Sequence, residues 1–216
     1  MGILQSMSCS IHYQADDEIS RALAEADPAL GALIDDVGVI SLAPPSEPFI
    51  ALVRSIVGQQ LSERAAGAIF GRLSAAFDVT PEVLATADEQ VLRDAGLSRQ
   101  KTSYVREVAR QFRDGEFDPK RLEALNDEDA MSELMRLRGV GAWSAEMFLM
   151  FALCRPDILA VDDLGVRWAA GEMMGLGRPA SRQELLDRGE MWKPHRSAAS
   201  FYLMASRVRG RPGMAR

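Results

Sequence analysis

An all-α fold is predicted by three features of the sequence. Apolar residues recur at three- and four-residue spacing along most of the chain, almost nothing alternates with the period of two of a half-buried strand, and helix-capping residues stand where the periodic segments begin. With 216 residues, 47% of them hydrophobic, the chain can bury a substantial core.

Taken in order, Glu18 to Glu25 and Ala29 to Val37 read as short amphipathic helices, broken at Asp27-Pro28 and again near Gly38. Ser41 to Pro48 holds three prolines and is read as a connector. Beyond it Phe49, Ile50, Leu52, Val53, Ile56 and Val57 make a broad apolar helical face that stops at Gly58. Ser62 caps a helix running to about Ala76, Thr80-Pro81 and Ala87-Asp88 open two shorter ones, and Ser98 caps a longer one that ends near Gly115. Asp127 to Leu137 and Ala142 to Leu153 are two further helices joined by a glycine turn, closed by Arg155-Pro156. A helix from near Val161 to Met174, then Ser181 to Met191 and Pro194 to Arg209, complete the set. This divides the chain into N-terminal helices (1–42), a central lobe (43–155) and a C-terminal lobe (156–216), the first packing with the last.

Charge and cysteine usage narrow the function. The net charge is −6, which argues against nucleic acid unless the positive residues are segregated. They are: Lys193, Arg196, Arg207, Arg209, Arg211 and Arg216 fall in a C-terminal stretch without acidic residues, which leaves −12 for all that precedes it. That stretch is either a phosphate-facing stripe or a solvated basic end. Cys9 and Cys154 match no metal-ligand or redox spacing, so no disulfide framework is indicated and a reducing cytoplasm is expected. No membrane span and no secretory signal are read.

Leu137-Arg138-Gly139-Val140-Gly141, followed by Ala142-Trp143-Ser144-Ala145, resembles the hairpin of the helix-hairpin-helix DNA glycosylases. On its own a Gly-x-Gly turn is a common helix-to-helix connection. Glycines permit the tight turn and let a phosphate approach main-chain N–H groups at a helix start, a grip that reads no sequence. Ala160 to Arg167 resembles the segment bearing the superfamily's catalytic aspartate, the matching residue being Asp163. Two acidic residues opening a helix also make an N-cap and its dipole partner, which is the reading given to Asp162. Met191-Trp192-Lys193-Pro194-His195-Arg196-Ser197 is similar to the Trp-Lys-Pro-x-Arg-Ser segment of the 3-methyladenine DNA glycosylase II family, and Ile56 to Ser62 to that family's minor-groove segment. About fifty residues precede the match, so a compact form without the family's N-terminal β-containing domain is expected.

The resemblance implies two helical lobes with the helix-hairpin-helix motif and an active-site cleft between them. It also implies a monofunctional enzyme that flips alkylated bases of the 3-methyladenine or 7-methylguanine type out of double-stranded DNA and hydrolyses their glycosidic bonds. Asp163 would stay ionised near a helix N-terminus, stabilise the sugar oxocarbenium ion and align water. Trp143 and Trp192 would wall the pocket, where an indole face attracts a cationic base, while Trp168 is assigned to the core. Met147, followed by Phe148, stands where well-known members have a tyrosine, which implies a softer pocket.

Gly139, Val140 and Gly141 would hold phosphate, as would Lys193 and Arg196. Gln59 to Leu61 would supply the wedge, with Gln60 at the matching position; a polar wedge can hydrogen-bond the orphaned base. Carbonyls of Met135, Leu137 and Val140 would hold a monovalent cation. No cofactor is required: relatives that cut the strand carry a nucleophilic lysine where this chain has Trp143, and two cysteines cannot ligate a four-cysteine cluster. A cytoplasmic, nucleoid-associated monomer is expected. The competing readings are a glycosylase of the same fold for oxidised or deaminated bases, and a DNA-binding module without catalysis.

Overall fold

Local capping chemistry sets most helix starts. In the computed structural model, which describes residues 11–42 and 47–209, Asp17 caps α1 (Glu18–Ala26) and Asp27 caps α2 (Pro28–Val37). Pro48 opens α3 (Pro48–Gly58), Ser62 caps α4 (Glu63–Ala76), and Thr80 and Asp88 cap α5 (Pro81–Thr86) and α6 (Glu89–Asp94). Ser98 caps α7 (Arg99–Arg113), and Asn126 caps α8 (Asp127–Met135). After the glycine turn come α9 (Ala142–Phe151), α10 (Leu164–Met173), α11 (Arg182–Gly189) and α12 (Arg196–Arg209). In each Ser, Thr, Asp or Asn cap the side-chain oxygen accepts an N–H of the first turn, which offsets donors that the helix itself leaves unpaired.

The helical architecture is as expected, with two exceptions of detail. Ile11–Tyr13 (β1) and Ile40–Leu42 (β2) pair as antiparallel strands, Ile11 opposite Leu42 and Tyr13 opposite Ile40. A 3-10 helix at Pro119–Ala124 was also unforeseen. Cys154 is disulfide-bonded, contrary to the expectation of two separate thiols; its partner lies outside the described residues. Among the described residues no helix is long and apolar enough to cross a membrane.

The chain forms two compact units, 1–45 with 154–216, and 46–153. In the first, the β1–β2 pair and α1, α2 and α10 pack on α12. Leu23, Leu30, Ile34, Phe201, Tyr202 and Leu203 are buried there, and Ser20 and Tyr202 share a buried hydrogen bond of 2.9 Å. In the second, α3 is the central element, packed on α4, α7 and α9, so its Leu52, Val53, Ile56 and Val57 are buried. Phe49, Phe112 and Phe117 stack at 5.2 Å centroid separations below it.

Candidate active site

In the first unit the central residue is Asp163. It is the N-cap of α10, its Oδ1 accepting the Val166 N–H at 2.9 Å, and it is half-buried. The helix therefore begins at Leu164, later than the periodicity suggested, because residues 158–163 run as irregular chain with a turn at Val161-Asp162. Side chains of α12 hold that segment in place. Ser197 Oγ accepts the Ile158 N–H at 2.9 Å and donates to the Arg155 carbonyl at 2.5 Å, and Ser200 Oγ accepts the Ala160 N–H at 3.1 Å. Both serines are buried, so each hydrogen bond satisfies a main-chain group that water cannot reach. Arg196 grips Asp157 with both arms of its guanidinium, Nε to Oδ1 at 2.8 Å and Nη2 to Oδ2 at 2.9 Å.

This assigns the Trp-Lys-Pro-x-Arg-Ser segment to bracing. Arg196, expected to meet phosphate, is committed to Asp157. Trp192 has no exposed surface and donates its indole N–H to Asp27 Oδ2 at 2.9 Å, so the expected pocket wall is a core residue of this unit. Asp27 is itself wholly buried and paired with Arg188 through both carboxylate oxygens. Burial alone would raise its carboxyl, but the Arg188 and Trp192 hydrogen bonds, the Leu30 N–H and the Arg188 charge outweigh it and hold the group below the ordinary carboxylate value.

The basic stripe is likewise occupied: Lys193 pairs with Glu190 at 2.9 Å and Arg207 with Glu172 at 2.5 Å. Lys193 remains 45% exposed, and such surface pairs exchange readily for other anions. Arg211 and Arg216 lie outside the described residues, as does the side chain of Arg209. Trp168, assigned to the core from sequence, is instead 36% exposed, with the Arg207 guanidinium 6.0 Å from its ring centre. Asp162 forms an ion pair with Arg182.

The second unit assembles the hairpin, the wedge and Trp143. Gly139 has φ +92, and a Cβ there would fall 2.2 Å from the Tyr104 ring of α7, so both conformation and space demand glycine. Val140 N–H closes the turn on the Leu137 carbonyl at 3.0 Å. Gly141 then starts α9 and has no side chain with which to cap it. Trp143 is half-buried and packs beside Gly58, where an added Cβ would stand 3.7 Å from the indole. Met147, one turn further along α9, is also half-buried and on the same side. Phe148 is 1% exposed, which corrects its assignment to the pocket: it belongs to the core.

The segment expected to supply the wedge is a four-residue turn. Gln59 (φ −50, ψ 127) and Gln60 (φ +59) have type II geometry, closed by the Leu61 N–H to the Gly58 carbonyl at 3.1 Å. Glycine is the usual residue where Gln60 sits, and a left-handed backbone costs another residue roughly 1–2 kcal/mol. Gln60 and Leu61 are exposed. Two side chains brace this turn, Lys101, which the sequence did not mark, and Gln59, which it marked as wedge and not as brace. Gln59 Nε2 donates to the Gly139 carbonyl at 2.7 Å and to Ser144 Oγ at 3.0 Å. Lys101 Nζ donates to the carbonyls of Val57 at 2.8 Å and Gln59 at 2.7 Å, and burial lowers its amine from the ordinary lysine value.

A family model of HhH-GPD superfamily base excision DNA repair proteins matches residues 53–194, well over half of the chain. DNA-3-methyladenine glycosylase 1 of Schizosaccharomyces pombe is 32% identical over 162 residues, 73% of this chain and 71% of that protein. The crystal structure of a DNA-3-methyladenine glycosidase from Bacillus halodurans aligns with a TM-score of 0.77 at 33% identity, covering 91% of this chain and 92% of that one. A 3-methyladenine DNA glycosylase of Schizosaccharomyces pombe, solved in complex with abasic DNA, aligns with a TM-score of 0.81 at 28% identity, covering 87% and 95% of the two chains.

Proposed function

This chain belongs to the HhH-GPD superfamily of base excision DNA repair proteins, and from that premise we propose that it is a monofunctional DNA glycosylase that hydrolyses the bond between deoxyribose and an alkylated base of double-stranded DNA. The observation that carries the reading is Asp163, a carboxylate fixed in aim by its cap bond to Val166 at the end of a segment that Ser197, Ser200 and Arg196 brace. As the C1′–N bond breaks, positive charge develops on the sugar, and a carboxylate held beside it lowers the energy of that state without having to reorganise. Water then adds its oxygen to C1′, and its proton passes to the carboxylate or to solvent. Bases such as 3-methyladenine and 7-methylguanine carry a positive charge before they leave and depart neutral, so no strong acid is needed.

Trp143 supplies an indole face for a cationic ring, and Met147 a deformable thioether on the same side of α9. The main-chain N–H groups of the turn Gly139-Val140-Gly141 and the start of α9, where the helix dipole favours an anion, bind a backbone phosphate, with Lys193 as a further exposed cation. Gln60 and Leu61 fill the space that the flipped nucleotide vacates. Main-chain carbonyls of Met135, Leu137 and Val140 are the oxygen donors a sodium or potassium ion accepts, and an ion there would add positive charge beside the phosphate grip. The test is release of 7-methylguanine from duplex oligonucleotides, set against 8-oxoguanine and hypoxanthine. Asp163→Asn, which keeps an oxygen to cap α10, should lower release about 10²–10³-fold while leaving affinity for abasic DNA within a few-fold. Unchanged release in that variant removes the role given to Asp163, and preference for 8-oxoguanine or hypoxanthine removes the substrate class.

A further inference from the structure

Lys101 lies outside every motif that the sequence marked, and Gln59 was marked only as part of the wedge itself, yet their side chains converge on the turn that presents Gln60. We propose that they are positioning residues for the DNA wedge: the Lys101 ammonium ties the Val57 and Gln59 carbonyls together, the Gln59 amide ties the turn to Gly139 of the hairpin, and the two together hold Gln60 in a left-handed conformation. The inference rests on the glycosylase reading for its consequence, but not for its geometry.

Three physical features support it. The carbonyls that Lys101 takes lie at the C-terminal end of α3, where the helix leaves its last acceptors unpaired and the dipole favours a cation. One ammonium bridging Val57 and Gln59 closes off the other paths the chain could take after Gly58. The Gln59 side chain has a single workable orientation, since a carbonyl can only accept and the Gly139 oxygen must therefore face the NH2 group. The wedge turn is thereby joined to the phosphate-binding turn by one hydrogen bond of 2.7 Å, and Ser144 in α9 takes the second amide proton at 3.0 Å. A clamp of this kind keeps the wedge in its inserted shape before DNA arrives, so that no ordering cost falls on the flipping step.

The test compares Lys101→Met, which keeps the stem and loses the donor, with Lys101→Arg, whose guanidinium can still serve two carbonyls, and with Gln59→Leu. Amide hydrogen exchange in the free protein reads the clamp directly through the Leu61 N–H, which the turn protects. Exchange at Leu61 should speed up about tenfold or more in Lys101→Met and Gln59→Leu, return near wild type in Lys101→Arg, and stay unchanged at Leu52 and Val53 inside α3. Release of 7-methylguanine should fall about tenfold from duplex DNA, mainly in kcat, and hold within about twofold from single-stranded DNA, where there is no stack to replace. Unaltered Leu61 exchange in both loss-of-donor variants overturns the clamp. Faster exchange with unaltered duplex release, or equal losses on duplex and single strand, overturns its role in wedging. If the wild type releases no base from either substrate, the glycosylase reading falls, and the exchange data still decide whether the clamp exists.

Discussion

The two units hold their functional groups by opposite means. Around Asp163 the main chain is irregular and side chains come to it: Ser197, Ser200 and Arg196 of α12 reach over to fix residues 155–163. Around the hairpin, where the phosphate grip is proposed, the chain dispenses with its own side chains: Gly139 has no room for a Cβ beside Tyr104, and Gly141 has no side chain to cap α9. On the proposed function, the contrast follows from the partner each unit would meet. A carboxylate acts on one atom and must be aimed, whereas a phosphate grip must remain open to every sequence that passes.

If that contrast is right, the largest loss of stability should come from the deepest brace of the first unit. Asp27→Ala strips Arg188 and Trp192 of their shared acceptor and α2 of its cap, and should cost roughly 3–5 kcal/mol in urea denaturation. The same carboxyl predicts a pH signature. Because it is more acidic folded than unfolded, its contribution is complete above the unfolded value of about 3.9 and drains away as pH falls through the lower folded value. Wild-type stability should accordingly drop more steeply than that of Asp27→Ala on going from pH 5 to pH 3, and parallel curves would remove the Arg188 pair as the cause.

Next comes the second unit. Gly139→Ala combines an unfavourable backbone with a methyl group driven into the Tyr104 ring, so it should cost roughly 2–4 kcal/mol. It should weaken binding to DNA of any sequence alike, measured by titration with abasic and undamaged duplexes. A variant as stable as wild type would show that the turn is not built around its bare main chain.

The smallest of the three effects separates aim from affinity. Ser197→Ala leaves the Ile158 N–H buried without its acceptor, a loss of about 1–3 kcal/mol. Its kcat for base release should fall while affinity for abasic DNA stays within a few-fold, and equal losses in both would mean that α12 does no more than hold the unit together.

Helix starts were legible because a cap is local: Ser62, Thr80 and Ser98 announce their helices within three residues. The strands Ile11–Tyr13 and Ile40–Leu42 were not, since three residues carry too little alternation and their pairing is long-range. The acidic start of α10 at Asp163 was legible as a cap, and the turn at Gly139 through its glycines. Trp192 was misread because the same motif that places it beside the functional segment says nothing of Asp27, 165 positions earlier, which claims its indole. Lys101, and the bracing contacts of Gln59, were missed for a similar reason: the acceptors are main-chain carbonyls, which any residue carries and no sequence pattern records.

Chain order adds a consequence for biosynthesis. Residues 46–153 are one uninterrupted stretch, whereas the other unit must join its beginning to α12, the last described helix to leave the ribosome. A nascent chain therefore completes the unit that carries the glycine turn before α12 is available to brace the segment that ends at Asp163.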